Sequence, residues 1–496
     1  RSPGGGRAVG AAPRAEAAPA DAPDRGLTGR PSRLGVLRHR HYRRVWVASF
    51  GSSIGTWMEA VGLQWLVAQA ATAPEWVAAG KPHATLMMAY LAVAQMGPML
   101  ALGIPGGLLA DRVNRKKLFL VTQGVMMVIA AALTVVAWRG LATPGVLIGL
   151  ALVHGTALAF NVPAWQVLTP RLVPRAELTR AITLNGMQFN LARAVGPALG
   201  GVLMGVWGAT ALFAINTVSF FGVLLAVALT PDAPAPAREG HPVRQLREAA
   251  EFVFLQRGPR AVFVAMVVFA MLSAPLLRML PLFASDVYHR DETVYGLLLA
   301  MMGIGAVLGG LALRWFPAWY PKHHFIPLSM VGGGVSILLF GAMRWMPAGA
   351  VMLVLCGVFW LWAFNSSMAA MQMLVPDRMR GRVLAVCNTA VFGAMPLGSV
   401  LAGLIGAWAV RHSAIDRGLS VQLGVTTLAG ALVLAGIVML AWRTPEVDGI
   451  LPGEPGYERA PGLWRGLTAA AHRPARAARA RHALATGAEA IEREMR

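Results

Sequence analysis

Long apolar runs alternate with short polar segments along most of the chain. Twelve of these runs carry almost no charge and contain 19 to 27 residues each. A helix of about 20 apolar residues is long enough to cross the hydrocarbon core of a bilayer. The pattern therefore predicts an all-α membrane protein with twelve transmembrane helices, numbered here as spans 1 to 12. We place them at residues 45–70, 84–109, 118–138, 145–168, 183–206, 209–229, 261–284, 295–313, 325–343, 348–374, 383–409 and 418–442.

Composition agrees with a membrane protein. The 496 residues are 56% hydrophobic and only 14% charged, whereas soluble domains carry about 25% charged residues. The chain has no Walker A loop and no His-Glu-x-x-His motif, so we expect neither an enzyme nor a bound metal or other cofactor. Any transport would then draw on an ion gradient rather than on ATP.

The distribution of basic residues predicts the orientation. If both tails are cytoplasmic, 36 of the 44 lysines and arginines lie on the cytoplasmic side, two lie inside spans and six lie outside: Lys81, Arg139, Arg290, Arg344, Arg411 and Arg417. Positive charge favours the cytoplasmic side of a membrane, so we expect a multi-pass protein of the cell membrane, the inner membrane where there are two. The net charge of +21 then indicates contact with anionic lipid, at about 1 kcal/mol per residue, and no nucleic-acid partner.

Composition also suggests the domain limits. We expect a disordered cytoplasmic tail at residues 1–44, six-helix halves at 45–229 and 261–443, and a second cytoplasmic tail at 444–496. Residues 230–260 read as a cytoplasmic linker that begins Thr-Pro-Asp-Ala-Pro-Ala-Pro, because proline-rich sequence interrupts helices.

Short matches relate the two halves. Gly-Gly-Leu at residues 106–108 recurs 203 residues later at 309–311, and Val-Pro at 173–174 recurs 202 residues later at 375–376. The matches agree in offset and in position relative to the spans, which indicates two six-helix repeats, as in many secondary transporters. The same offset aligns Asp111 of the first half with Arg314 of the second, so the carboxylate occurs in one half only.

The turn between spans 2 and 3 carries a motif. Gly107, Asp111, Arg112 and Arg115 belong to a Gly-x-Leu-x-Asp-Arg-x-x-Arg-Lys sequence, which resembles the signature of major facilitator superfamily transporters at this place. The resemblance implies a cytoplasmic gate in which Asp111 approaches the start of span 11 near Arg382. The alternative is a basic loop flanked by packing glycines.

Span 5 carries a second motif, formed by Gly196, Pro197, Gly200 and Gly201. It is similar to the Gly-Pro-x-x-Gly-Gly sequence of facilitator-family drug and proton antiporters, and it departs from the fuller motif at Ala192, where that motif has glycine. The resemblance implies export, with Gly200 and Gly201 packing the halves together. A proline-kinked helix with small residues for packing is the alternative.

Residues 50–58, 160–174 and 375–383 together resemble the enterobactin-exporter-like branch of the superfamily. The resemblance implies the major facilitator fold and a proton-coupled exporter of a siderophore-like or drug-like small molecule that works by alternating access. We expect the protein to be a monomer. A lipid or lysolipid flippase on the same fold and a non-transporting receptor or scaffold are the alternatives.

Three ionisable residues lie well inside spans: Glu59, Arg193 and Arg278. A charge at mid-bilayer costs about 2.5–3.5 kcal/mol on insertion scales, so each should face a cavity or a partner. We expect the proton and substrate pathway to use these three together with the polar Asn161, Gln188 and Asn365; weaker polar candidates include Gln64 and Gln95.

Helices 1 and 7 occupy equivalent places in the repeats, which predicts an ion pair between Glu59 and Arg278 at the outer gate. The alternatives are a structural hydrogen bond for Glu59, packing for Arg193 and an interfacial anchor for Arg278.

Overall fold

The structure is a computed structural model that describes residues 33–168, 172–174, 177–231, 242–315, 321–376, 379–413, 415–442 and 444–448. These residues fold almost entirely into helices, which are α1 (Arg40–Thr72), α2 (Pro74–Ala78), α3 (Ala84–Arg112), α4 (Arg115–Trp138), α5 (Pro144–Leu168), α6 (Leu178–Ala228), α7 (Pro242–Leu255), α8 (Arg257–Leu282), α9 (Glu292–Ala312), α10 (Lys322–Ala342), α11 (Met346–Leu374), α12 (Arg380–His412) and α13 (Arg417–Ala441). Short 3₁₀ segments lie at Arg33–Arg38, Leu313–Trp315 and Pro445–Asp448, and a π turn at Phe283–Val287 follows α8.

The described helices account for twelve spans. Ten segments are long and apolar enough to cross a membrane. One of them, α6, contains both span 5 and span 6, because Gly208 interrupts it with φ 74 and ψ 172, a conformation that glycine adopts without steric cost. Span 1 lies in α1, which is less apolar because it carries three arginines and Glu59. Spans 2, 3 and 4 are α3, α4 and α5, and spans 7 to 12 are α8 to α13.

The predicted six-helix repeat is confirmed by packing. A Cβ on Gly106 of span 2 would lie 2.7 Å from the carbonyl oxygen of Ala159 in span 4. In the other half, a Cβ on Gly309 of span 8 would lie 2.9 Å from the Cα of Val358 in span 10. Glycines 203 residues apart therefore permit the same close approach between equivalent helices, as small residues do at membrane helix interfaces.

The structure changes three of the expected domain limits. The disordered tail does not extend to residue 44, because Val36 and Tyr42 are fully buried against Val173, Ala181 and Leu184. The linker is not all loop, because residues 242–255 form α7, whose apolar side packs on the second half. The second tail begins with a 3₁₀ turn in which Asp448 accepts a hydrogen bond of 2.7 Å from the backbone N–H of Lys322.

We name the two ends of the bundle by the described chain. The tail end is where residues 33–38 and 445–448 lie, and the far end is the opposite one, where α2 follows span 1. Gly107, Asp111, Arg115 and Arg382 belong to the tail end.

Glu177 anchors the start of α1 at the tail end. Its carboxylate bonds Arg38 and accepts a hydrogen bond of 2.9 Å from Nε2 of His39. The hydrogen bond with His39, against a smaller opposing effect of burial, and the charge of Arg38 hold the pKa of the Glu177 carboxyl below its ordinary range.

A pH dependence of stability follows from this lowered pKa. A depressed folded-state pKa stabilises the fold above the unfolded pKa of about 4.3, and that stabilisation is lost as the pH falls through the folded pKa. We expect Glu177→Gln to lower the melting temperature in detergent near pH 7 and to match wild type at acid pH. Glu251→Gln, which removes an exposed helix ion pair, is the control, and a pH-independent difference for Glu177→Gln would contradict the assignment.

Candidate functional site: the cleft between the two halves

The two halves are in close contact at the far end. A Cβ on Gly201 of span 5 would collide with the Cα of Gly296 in span 8, so the two backbones touch. Trp65 of span 1 stacks on Tyr295 of span 8 with ring centroids 6.0 Å apart. These contacts close the space between the halves from the far end.

Hydrogen bonds add to this closure. The Thr85 hydroxyl of span 2 donates to the Gly403 carbonyl of span 11 at 3.0 Å, and it is 1% exposed. The Arg417 guanidinium donates to the Thr72 carbonyl at 3.2 Å. Both bonds join spans 1 and 2 to the second half.

We therefore expect Thr85→Val to weaken far-end closure. Loss of one buried hydrogen bond costs about 1 kcal/mol, which raises the far-end-open population roughly fivefold. The measurement is the distance distribution between spin labels at Glu75 and Arg290, which lie on opposite halves. Thr134→Val is the control, because the Thr134 hydroxyl bonds only a carbonyl of its own helix; equal effects of both variants would rule out a role in closure.

Spans 5 and 8 touch at the far end, but the same faces of these two helices are exposed nearer the tail end. Met187 lies fourteen residues before Gly201, so it projects within about 40° of it, yet Gly201 is buried and Met187 is 52% exposed. On span 8, Val307 lies eleven residues after the buried Gly296, within about 20°, and is 54% exposed. The two helices that touch at the far end thus leave a cleft between them at the tail end.

Arg193 points into this cleft. It lies seven residues before Gly200 and eight before Gly201, so its direction falls between theirs on a helix that turns about 100° per residue. Gly200 packs on Met58 of span 1, whereas Gly201 packs on span 8. Arg193 therefore projects between one helix of each half; it is half-buried and forms no ion pair or hydrogen bond with another described residue.

Arg278 lies where the cleft ends toward the far end. Its guanidinium donates a hydrogen bond to the side-chain oxygen of Gln95, across the boundary between the halves. Tyr295 lies close enough for an electrostatic interaction with Arg278, and the Tyr295 hydroxyl is buried without a hydrogen-bond partner. This arginine therefore belongs to the far-end gate.

Glu59 lies inside the first half. It is 4% exposed and accepts a hydrogen bond of 2.6 Å from Nδ2 of Asn216 in span 6. Gly55, one turn earlier, also faces Asn216. No lysine or arginine among the described residues forms an ion pair with Glu59.

The predicted ion pair between Glu59 and Arg278 is wrong. The rotation of α1 points Glu59 at span 6, while Met58 and Val61 face span 5. Arg278 bonds Gln95 instead. The two residues lie on helices at equivalent places in the repeats. Their partners differ because each side chain points in another direction around its helix axis.

The three predicted polar residues have separate environments. Asn161 is 7% exposed and donates to Thr122 Oγ1 at 2.9 Å and Gln123 Oε1 at 3.1 Å, within the first half. Gln188 is buried, and its position on α6 is about 140° from that of Arg193. Asn365 is exposed on α11. The structure brings none of them into hydrogen-bond contact with Glu59, Arg193 or Arg278.

The predicted tail-end gate is described in part. Gly107, Asp111 and Arg112 form the last turns of α3, but their side chains lie outside the described part of the structure. Arg115 is 1% exposed at the start of α4, and Arg382 is half-buried in the first turn of α12.

The span 5 motif contacts both halves. A Cβ on Gly196 would lie 2.6 Å from Cβ of Trp57, and one on Gly200 would lie 3.1 Å from Cα of Met58, so these two glycines pack on span 1 of their own half. Only Gly201 of the three reaches the other half, and Pro197 lies between them inside α6.

Sequence reasoning missed five residues of this arrangement: Trp65, Thr85, Asn216, Tyr295 and Gly296. Asn216 could have been found as an amide inside an apolar span, where polar side chains are costly. Nothing in the sequence distinguishes Thr85 and Tyr295 from ordinary residues at span ends.

The sequence profile of a known family matches almost all of the described chain. The profile is that of transmembrane secretion effectors, and the match covers residues 31–452. This chain belongs to the transmembrane secretion effector family. The match includes all twelve spans and thus the whole cleft.

Two relatives of this chain carry siderophores. The staphyloferrin A transporter of Staphylococcus aureus (strain NCTC 8325 / PS 47) is 24% identical over 358 residues, 71% of this chain and 86% of that protein. The enterobactin exporter EntS of Citrobacter koseri is 28% identical over 322 residues, 64% of this chain and 76% of that protein.

Solved structures share the fold. A bacterial homologue of the human lysosomal transporter Spinster, inward-facing and unoccupied, has a TM-score of 0.61 and 13% identity, covering 84% of this chain and 96% of that chain. The D-xylose–proton symporter has a TM-score of 0.61 and 14% identity, covering 82% and 98%. The predicted major facilitator fold is confirmed. This member of the family is a multi-pass membrane transporter of small molecules and not an enzyme.

Proposed function

We propose that the protein is a proton-coupled exporter of a siderophore-like or drug-like small molecule that works as a monomer by alternating access. The observation that carries the proposal is the cleft between the halves, which is closed at the far end by Gly201, Gly296, Trp65 and Tyr295 and exposed at the tail end. A carrier with one cleft that closes at one end while it is open at the other can move a solute without a continuous pore.

The proposed orientation gives the route of export, and the exporters among the relatives give its direction. With both termini in the cytoplasm, as the basic residues favour, the tail end is cytoplasmic and the cleft is open to the cytoplasm. A solute enters from the cytoplasm, and closure of the tail end with opening of the far end releases it outside. The enterobactin exporters among the relatives support this direction.

Glu59 is the group that we propose for the proton. No lysine or arginine among the described residues pairs with this buried carboxylate, whose hydrogen-bond partner is a neutral amide. An acidic residue within a membrane span marks a functional site by default. Glu59 lies six residues before Trp65 on the same helix, about 9 Å along its axis. Protonation of Glu59 changes the contact between spans 1 and 6, and span 1 transmits that change to the Trp65–Tyr295 contact.

Inverted membrane vesicles test the export proposal. Vesicles from cells that express the protein are energised to an acidic interior, and the uptake of labelled staphyloferrin A, labelled enterobactin and a panel of drug-like dyes is measured against vector-only vesicles. We expect at least one compound to accumulate and to leak out when the pH gradient is collapsed. Accumulation of none of them, with the protein present and folded, would contradict the proposal.

A further inference from the structure

A cavity opens at the far end of the second half, and we call it the far-end pocket. Its volume is about 390 Å³, which is large enough for a small organic molecule. It lies between the turn after span 7, the loop between spans 9 and 10 and the start of span 12. Its polar lining residues are Asp286, His289, Arg344, Asp416, Arg417 and Gln422. All of them belong to the second half, so the far-end pocket is separate from the cleft between the halves.

Close packing of two backbone segments forms the inner wall of this pocket. The π turn Phe283–Val287 carries Asp286, and a Cβ on Gly418 in the first turn of α13 would lie 2.6 Å from the Asp286 carbonyl oxygen. Gln422 follows Gly418 by four residues and so lies on the same face of α13. Because side chains of a helix lean toward its N-terminus, Gln422 reaches back toward Asp286 and the pocket.

Two polar groups of the inner wall lack a hydrogen-bond partner. Gln422 is 5% exposed, and no other described residue bonds its side-chain amide. Asp286 Oδ1 accepts a hydrogen bond of 3.2 Å from the Ser285 hydroxyl, whereas Asp286 Oδ2 is buried without a partner among the described residues. A buried polar group without a partner costs about 1–3 kcal/mol. The inner wall therefore favours a ligand that supplies the missing hydrogen bonds.

Charges of both signs line the far-end pocket. Asp286 and Asp416 balance Arg344 and Arg417, so these four residues carry no net charge. Two of them already have structural partners: Asp416 Oδ1 accepts from a backbone N–H at the start of α13 at 2.5 Å, and Arg417 donates to a carbonyl of α1 at 3.2 Å. The Arg344 guanidinium has only an exposed contact of 3.4 Å with Asp416. One carboxylate, Asp286, and one cation, Arg344, therefore remain for a ligand.

We propose that the far-end pocket binds a small zwitterion with the chemistry of a free amino acid. The ammonium group of the ligand donates to Asp286 Oδ2 and to the side-chain oxygen of Gln422, and its carboxylate accepts from Arg344. Such charge-assisted hydrogen bonds are stronger than neutral ones. A ligand with a single charge leaves either Asp286 or Arg344 without a partner of opposite charge. The far-end pocket faces outward in the proposed orientation, so the ligand reaches it without passing through the cleft.

Thermal unfolding of the purified full chain in detergent tests binding, because a ligand that binds the folded state raises the melting temperature. The probes are glycine, L-alanine and L-glutamine. Glycine betaine keeps both charges but has no N–H donor, and ethylammonium and acetate each carry one charge. At constant pH and ionic strength, we expect at least one amino acid to raise the melting temperature and the three control compounds to have little effect.

Variants locate the site. Asp286→Asn and Arg344→Gln should each weaken binding of the stabilising amino acid about tenfold or more. Glu75→Gln and Arg411→Gln remove the same charges from exposed far-end residues outside the far-end pocket, and they should bind as wild type does. If Asp286→Asn misfolds, equilibrium dialysis of the labelled amino acid with Arg344→Gln gives the comparison, because the Arg344 side chain is exposed and its loss should leave folding intact.

Three outcomes would overturn the proposal. The first is that none of the amino acids stabilises the folded protein. The second is that glycine betaine, ethylammonium or acetate binds as tightly as the best amino acid, and the third is that Asp286→Asn and Arg344→Gln leave the affinity unchanged. None of these outcomes touches the transport proposal, which fails separately if inverted vesicles accumulate no compound.

Discussion

Replacing Gly201 by leucine is expected to abolish transport. The Gly201 and Gly296 backbones touch, so a side chain at either position forces spans 5 and 8 apart at the far end. Overpacking that cannot be relieved by a flexible neighbour costs about 3 kcal/mol or more, which shifts the closed-to-open ratio by more than about a hundredfold. The measurement is uptake of the transported compound into inverted vesicles, together with the Glu75–Arg290 spin-label distance, which should lengthen.

Two matched variants separate closure from folding. Gly222→Leu places the same side chain on span 6 where a Cβ meets no heavy atom within 4 Å, and it should transport normally. Gly200→Leu disturbs packing within the first half and should lower the melting temperature. Wild-type transport by a folded Gly201→Leu variant would show that spans 5 and 8 need not touch at the far end.

Glu59→Gln is expected to uncouple transport from the proton gradient. Glutamine has the shape of glutamate and retains a hydrogen bond with Asn216, but it cannot release or take up a proton. In vesicles, the variant should equilibrate the compound without accumulating it, so uptake should be about the same with and without the pH gradient. The melting temperature should change little, because the hydrogen bond is retained.

Asn216→Leu is the companion variant. It leaves the Glu59 carboxyl buried without its 2.6 Å donor, which costs about 1–3 kcal/mol, so it should lower stability while the response to the gradient survives. Full gradient-driven accumulation by Glu59→Gln would remove Glu59 from the proton pathway and leave it a packing residue.

Hydrophobicity was sufficient to predict the spans, because a bilayer requires long apolar helices whatever their partners. The repeat was predicted from short sequence matches 202 and 203 residues apart. Arg40, Arg43 and Arg44 obscured the start of span 1, since the buried Val36 and Tyr42 are dispersed among basic residues. The folded boundary there depends on tertiary contacts, which composition does not report.

Side-chain partners were not predictable in the same way. Glu59 and Asn216 are 157 residues apart, and Arg278 and Gln95 are 183 residues apart. Each pairing depends on how far a helix is rotated about its axis, and one residue of slip turns a side chain by about 100°. The arginines could therefore be recognised as functional from their depth, whereas the residues that they face required the packed structure.

The most direct test of alternating access measures one distance across each end of the cleft under the same sample conditions. Spin labels at Glu75 and Arg290 report the far end, and labels at Lys117 and Gln256 report the tail end; all four residues are exposed. In lipid nanodiscs, double electron–electron resonance is recorded across a range of pH and with the transported compound. Alternating access predicts that whenever the far-end distance lengthens, the tail-end distance shortens. A proton site at Glu59 predicts that Glu59→Gln removes the pH response. A far-end distance that stays short under every condition, or two distances that lengthen together, would contradict alternating access.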